Sequence, residues 1–280
     1  MTYNLDGKVA FVTGGGRGQG RSHALAFARA GAKVAFCDFT GSFDHTAYAI
    51  NRPGDIAETE KLVKAAGGEC LAIEADVRSL PEMERAVGEI VERWGRLDIA
   101  VANAGIDSYT PVQAMTAQQW QDTIDVNLTG VFNTIRAVSP RMVEQRSGSI
   151  VGISSSVGKV GTANNPAYIA SKWGVIGLVK AAAVDLGPHF VRVNAVCPGY
   201  ISTEMINNGT LPPMFFPDNP DATEDDVTSY VNWAVHTIPA GRLDSEEVSN
   251  AVLFLSSDQS RYISGSTIDV NAGWSARFTA

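Results

Sequence analysis

The stretch Val9-Ala10-Phe11-Val12-Thr13-Gly14-Gly15-Gly16-Arg17-Gly18-Gln19-Gly20 joins a short apolar run to a glycine-rich turn, and helical periodicity begins immediately behind it. At such a strand-to-helix turn, residues without Cβ atoms let the backbone approach a pyrophosphate, and the following helix points unpaired N–H groups and the positive end of its dipole at the anion. Two other readings compete, a flexible turn without a ligand and a Walker A loop. Gly15-x-x-x-x-Gly20-Arg21-Ser22 approaches the latter, but arginine stands where that loop needs the compact charge of lysine. Gly14, Arg17, Gly18, Gln19 and Gly20 are therefore cofactor-binding candidates.

The next apolar run ends in Asp38, roughly 20 residues beyond the glycines, where a carboxylate accepts hydrogen bonds from adenosine ribose hydroxyls. Asp38 repels a 2′-phosphate and Arg17 attracts one, so the two argue in opposite directions on NAD against NADP. NAD is favoured, because a buried clash of like charges costs several kcal/mol while a loop arginine turns outward at little cost. Asp76-Val77, after the third run, is placed to meet the adenine edge, and Asn103-Ala104-Gly105, after the fourth, lets the backbone pass close to a cofactor. The plainer readings are a helix cap for Asp76 and an ordinary turn for Gly105.

The alternation continues along the chain, with strands expected at 9–13, 33–38, 69–75, 99–103, 149–154, 192–197 and 267–270. Helices are expected at 18–30, 55–66, 81–94, 117–144, 168–186 and 245–256. This predicts an α/β fold, a doubly wound, seven-stranded parallel sheet with helices on both faces, as a single domain over residues 1–280. Two stretches stand outside the pattern. Residues 39–53 form an insert after the second strand, and residues 203–230 read as a substrate lid. Leu211-Pro212-Pro213-Met214-Phe215-Phe216-Pro217 in the latter is too proline-rich for a helix and too apolar for a solvated linker.

With 280 residues, 45% hydrophobic and 19% charged, the chain has the composition of a globular protein. A net charge of −8, a pI near 5.0 and the lack of a basic run exclude nucleic acid and anionic membrane as expected partners. Cys37, Cys70 and Cys197 are scattered in apolar surroundings, as suits reduced core thiols. The N-terminus, Met1-Thr2-Tyr3-Asn4, carries no signal pattern, no apolar run approaches the roughly 18 residues of a membrane span, and a cytoplasmic protein is expected. The four histidines do not cluster, so no metal is implied; His23 and His189 read as surface or capping residues. No Gly-x-Ser-x-Gly elbow suggests a serine hydrolase.

Tyr168 and Lys172 stand at i and i+4 of an expected helix, so phenol and ammonium share a face. A neighbouring cation lowers a tyrosine pKa by about 1–3 units, toward proton exchange with a substrate oxygen. Ser155 follows the fifth strand at the carboxyl edge of the sheet, where open α/β folds bind ligands. Its neighbours Ser154 and Ser156 should face other ways in an extended segment.

Thr13-Gly14-x-x-x-Gly18-x-Gly20, Asn103-Ala104-Gly105, Tyr168-x-x-x-Lys172 and Pro198-Gly199, in that order, resemble the short-chain dehydrogenase/reductase family over nearly the whole chain. The glycine spacing resembles its compact single-domain oxidoreductase branch. The resemblance implies Tyr168 as general acid/base, Lys172 as anchor of the nicotinamide ribose, and Ser155, 13 residues before the tyrosine, as holder of the substrate oxygen. It further implies Asn127 in a water relay, Thr203 on the nicotinamide carboxamide, and Pro198, Gly199 and Ile201 beside the cofactor. The residues after Asp38 and the run Gly161-Thr162-Ala163-Asn164 are similar to a carveol-dehydrogenase-like, mycofactocin-associated branch, which implies tightly held NAD. A homotetramer is implied as well. The expected reaction interconverts a secondary alcohol and a ketone; the rivals are an epimerase and a silent dinucleotide-binding scaffold or sensor. Tyr109, Trp173, Met205, Met214, Phe215 and Phe216 suggest an apolar pocket for a terpenoid- or steroid-like alcohol.

Overall fold

β1 (Val9–Thr13) turns Val9 and Phe11 toward one core and Ala10 and Val12 toward another, so the central strand is buried on both faces. The structure is a computed structural model that describes residues 3–50 and 52–277. Met1 and Thr2, where the N-terminal reading starts, and Asn51, in the segment 39–53, lie outside the described residues.

α1 (Gly18–Arg29), β2 (Lys33–Asp38), α2 (Asp55–Ala65), β3 (Cys70–Glu74), α3 (Leu80–Trp94) and β4 (Ile99–Ala102) make the first half. α4 (Ala117–Ile124), α5 (Gly130–Gln145), β5 (Gly148–Ile153), α6 (Pro166–Leu186) and β6 (Val191–Pro198) follow. α7 (Leu211–Phe215), α8 (Glu224–Tyr230), α9 (Ser245–Ser256) and β7 (Thr267–Val270) complete the order. All seven strands pair in parallel, in the order β3-β2-β1-β4-β5-β6-β7. The expected doubly wound sheet is therefore present. Side chains of α3, α5 and α6 fill the core on one face, and those of α1, α2 and α9 the core on the other. The strand order reverses between β1 and β4, and the glycine loop and Asn103 stand at that switch point.

Several expectations need correction. The helix expected over 117–144 is broken by a π-turn at Asp125–Thr129, closed by Gly130 N–H on the Asp125 carbonyl. The proline-rich stretch does form a helical turn, Leu211–Phe215, because Pro212 falls in the first turn, where the backbone N–H has no helical partner to lose. His23 is fully buried, with Nδ1 2.8 Å from Ser249 Oγ, and burial drops its pKa to about 3. Contrary to the hydropathy reading, Pro166–His189 is long and apolar enough to cross a membrane by composition. That helix lies along β6 with Ala167, Ser171, Lys172, Val175, Val179 and Ala182 on its buried side.

Candidate active site

The glycine loop is shaped by contacts that a side chain would prevent. A Cβ on Gly20 would meet the Gly14 carbonyl oxygen at 1.9 Å, and Gly14 adopts φ +67° with its own hypothetical Cβ 2.9 Å from Ala104 Cα. Gly14, Arg17, Gly18, Gln19 and Gly20 line a cleft of about 510 Å³, within the range of small-molecule and cofactor sites. Asp38, Asp76, Val77, Asn103, Gly105, Thr203 and Met205 line the same cleft. Gln19 Oε1 is buried there without a hydrogen-bond partner. The cradle of bare backbone N–H groups fits a phosphate-bearing dinucleotide, and the orphaned amide oxygen fits a donor such as a ribose hydroxyl of the same molecule.

Asp38 Oδ2 accepts the Gly16 N–H at 2.7 Å and Oδ1 accepts that of Phe39 at 2.8 Å. Burial raises its pKa, while those two bonds and the charge of Arg17 oppose the rise. Arg17 is turned onto Glu204, with Nη1 to Oε2 at 2.5 Å, and its guanidinium lies 5.7 Å from the centre of the Tyr48 ring. Asp76 is neither helix cap nor free: its carboxylate takes the Arg78 guanidinium, with Nη2 to Oδ2 at 2.6 Å, and Ser79 caps α3. Ile201 is turned into the core at 2% exposure and bridges to Leu243, so only its backbone could meet a ligand. Pro198 accepts from Ser156 Oγ at 3.0 Å, and Gly199 passes so close to Asn271 Cα that a Cβ would stand 2.9 Å away.

The three consecutive serines separate, although only Ser154 and Ser155 continue the extended run behind β5 and Ser156 already opens a 3₁₀ turn. Ser154 Oγ donates to the Lys172 carbonyl at 2.8 Å and Ser156 Oγ to that of Pro198, whereas the Ser155 hydroxyl is the one hydrogen-bonded to Tyr168. Lys172 is 3% exposed, and its Nζ donates to the Ile153 carbonyl at 3.0 Å and lies 5.3 Å from the centre of the Tyr168 ring. Burial pulls the lysine pKa down to about 8. The tyrosine does not show the expected lowering. Burial, then the charge of Asp107, pushes the Tyr168 pKa up, with the Ser155 bond acting against them. The ammonium stands against the ring face, where it does less for the phenolate oxygen than a hydrogen bond would. Asn127, fully buried in the π-turn, accepts the Ile106 N–H at 2.8 Å and donates to the Ile106 carbonyl and Ser171 Oγ. Both its amide hydrogens are therefore engaged, and one lone pair on Oδ1 is what it has left to offer a water.

The model of the short chain dehydrogenase family matches residues 8–211. The chain belongs to the short-chain dehydrogenase family. It is 39% identical over 271 residues to (−)-trans-carveol dehydrogenase of Rhodococcus erythropolis, covering 96% of this chain and 98% of that one. It is equally 39% identical over 267 residues to a 3-oxoacyl-[acyl-carrier-protein] reductase of Staphylococcus epidermidis, covering 95% of this chain and 98% of the relative. Among solved structures, carveol dehydrogenase from Mycobacterium avium in complex with NAD superposes with a TM-score of 0.93 at 43% identity, over 97% of this chain and 98% of that one.

Beyond the short-chain dehydrogenase motifs, the fold gathers a third cluster. Leu211, Val227, Val231 and Val235 bury together, with Tyr109, Tyr200, Ile206, Met214, Phe215, Phe216 and Trp274 packed around them. Phe215 and Phe216 stack on Tyr230, with centroids 5.3 and 5.9 Å apart. Trp173 is not among them; it lies 53% exposed on α6. Sequence reasoning missed Tyr48, Arg52, Asp107, Asn165 and Glu204. Arg52 Nη2 and Arg17 Nη1 hold the two oxygens of Glu204 from opposite sides, at 2.9 and 2.5 Å. Nothing in local spacing announces these residues. The one available signal was Asp107 itself, a carboxylate directly behind Ala104-Gly105-Ile106 in the loop after β4.

Proposed function

We propose that this chain is an NAD(H)-dependent oxidoreductase that interconverts a cyclic, largely apolar secondary alcohol and its ketone, with carveol-like terpenoids as the nearest substrate class. The observation that carries this reading is the Ser155–Tyr168–Lys172 cluster, set at the carboxyl edge of the sheet beside a glycine cradle that ends in Asp38. Bound NAD supplies the hydride acceptor. Ser155 holds the substrate oxygen, Tyr168 takes or returns its proton, and Lys172 positions the nicotinamide ribose and keeps a positive charge behind the phenol. Asp38 takes the adenosine ribose hydroxyls, and Gly14, Gly18 and Gly20 admit the pyrophosphate. NAD is preferred over NADP because the Asp38 carboxylate would face a 2′-phosphate, while the Arg17 guanidinium is already turned onto Glu204.

We further propose residues 203–230 as the substrate lid and residues 39–53 as a cover over the cofactor. The aromatic cluster of Phe215, Phe216, Tyr109 and Tyr200 supports an apolar pocket under the lid, where exclusion of water favours both transfers. The enzyme works in the cytoplasm as a homotetramer. Buried free thiols at all three cysteines suit a reducing compartment, and exposed Trp120, Phe132, Trp173 and Val184 on α4 to α6 offer faces for a second copy. The test is a titration of NAD and NADP followed by turnover of carveol and related cyclic alcohols. NAD is expected to bind at least tenfold more tightly, about 1.4 kcal/mol, and carveol to reduce it. Equal binding of NADP, or no reduced cofactor from any cyclic alcohol, overturns the reading.

A further inference from the structure

Asp107 has no part in the chemistry above, yet its carboxylate is enclosed at 3% exposure beside the reacting groups. Its hydrogen bonds come from neutral donors: Asn165 Nδ2 at 2.9 Å, Ser108 N–H at 2.8 Å and Tyr109 N–H at 3.4 Å. Its own N–H donates to the Tyr48 hydroxyl at 3.1 Å. Asn165 directly precedes Pro166, the first residue of α6. An asparagine there ordinarily accepts from the first N–H groups of the helix. Here it makes no capping bond and donates to Asp107 instead. Tyr168 and Lys172 lie in the first two turns of α6, so the start of this helix decides where both side chains sit. Asn164 at φ 62° and Tyr109 at φ 33° flank the contact, conformations that loops of non-glycine residues seldom keep without support.

We propose that Asp107 is a positioning residue for the Tyr168–Lys172 pair: its carboxylate, tied to Asn165 at the head of α6, fixes the start of that helix and sets a negative charge beside both side chains. This rests on the reading of Tyr168 and Lys172 given above. The ionisable groups facing Asp107 are Tyr168 and Lys172 from α6, Tyr48 from the segment 39–53, and Tyr109 from its own loop. Lys172 is the one cation in that set. Burial favours its neutral form, and Asp107 opposes this. The same charge resists a phenolate at Tyr168. The carboxylate therefore keeps the lysine charged and holds Tyr168 in its protonated form, the form from which carbonyl reduction starts, while making its phenolate a stronger base.

The test needs no substrate: Lys172 is titrated by NMR of nitrogen-labelled lysine in the full chain, assigned with Lys172→Arg. Asp107→Asn keeps the shape and removes the charge, and the Lys172 midpoint is expected to fall by about one unit. Mere loosening would admit water and raise the midpoint from about 8 toward 10.5. With carveol and NAD as probes, the acid limb of kcat/KM for oxidation should move to lower pH in Asp107→Asn. Asn165→Ala keeps the charge and cuts the tie, and kcat should fall about tenfold with no drop in the Lys172 midpoint. An unchanged or raised midpoint in Asp107→Asn, or full kcat in Asn165→Ala, overturns the proposal. Failure of carveol to turn over counts against the substrate class alone, because the lysine titration still decides the role of Asp107.

Discussion

The cofactor cleft and the aromatic cluster around Tyr230 are built from different material. In the cleft the walls at the glycine loop are largely backbone: Gly14 and Gly20 allow approaches that no Cβ would permit, and the parallel register of β1 with β2 and β4 fixes where those groups stand. In the aromatic cluster the contacts are between side chains, gathered from the loop after β4, from the residue after Gly199 and from α7 and α8. Backbone sites tolerate few substitutions in place. Side-chain clusters can be reshaped by exchanging rings, which would suit a changeable substrate beside a constant cofactor if the proposed pocket lies there.

The largest expected effect lies at Tyr168. Tyr168→Phe removes the proton-transfer group and leaves the glycine cradle intact, so kcat should drop by about 10²–10⁴ while NAD affinity stays within a factor of about two. Stopped-flow turnover and a cofactor titration check the two halves. A phenylalanine variant with near wild-type kcat removes Tyr168 from the reaction and with it the separation of roles between the two regions.

That division also explains what the sequence could tell. β1, β2 and β7 coincide with their expected bounds, and the glycine loop candidates all line the cleft, because strand periodicity and Cβ-free turns are local properties. The serine triplet was less legible, because β5 ends at Ile153 and Ser156 opens a 3₁₀ turn, so strand alternation does not assign its hydroxyl a direction. The helical turn at Leu211–Phe215 was missed, because proline opposes helices except in the first turn, and the placing of that turn depends on tertiary packing. Asp107 and Asn165 lie 58 residues apart, and Arg17 and Glu204 lie 187 apart. No spacing rule links such partners; only the sheet brings them together.

A second expected effect tests the aromatic cluster by itself. Truncating Phe215 and Phe216 together to alanine removes two rings from the aromatic cluster and should raise KM for a bulky apolar alcohol by about 3 kcal/mol, near a hundredfold. NAD affinity should hold, since neither ring lines the cofactor cleft. Hydrogen exchange over 203–230, with and without cofactor and alcohol, reads the same segment independently. Unchanged protection together with an unchanged KM would move the substrate pocket elsewhere and leave the aromatic cluster as plain core.

The smallest expected effect concerns stability, and its sign separates an active-site charge from a structural one. Burial raises the pKa of Asp107 from 3.8 to about 6. A carboxyl raised on folding contributes stability that is fully present below its unfolded pKa and is lost as pH rises through the folded one. Below 3.8 the side chain is neutral in both states, and between 3.8 and about 6 folding increasingly opposes the ionisation that water permits. Above about 6 the folded enzyme carries the full penalty of a desolvated charge. An uncharged asparagine of the same shape escapes it. Asp107→Asn should therefore be more stable than the wild type by about 3 kcal/mol at neutral pH, several degrees in Tm, and should lose the advantage as pH falls toward 3.8. Thermal melts across that window check it. A variant that gains stability while its Lys172 titration shifts downward identifies a charge kept for the reaction at the expense of the fold. A variant that loses stability at neutral pH would instead mean that the carboxylate's bonds to Asn165, Ser108 and Tyr109 outweigh its desolvation, and that Asp107 serves as a brace for the loop.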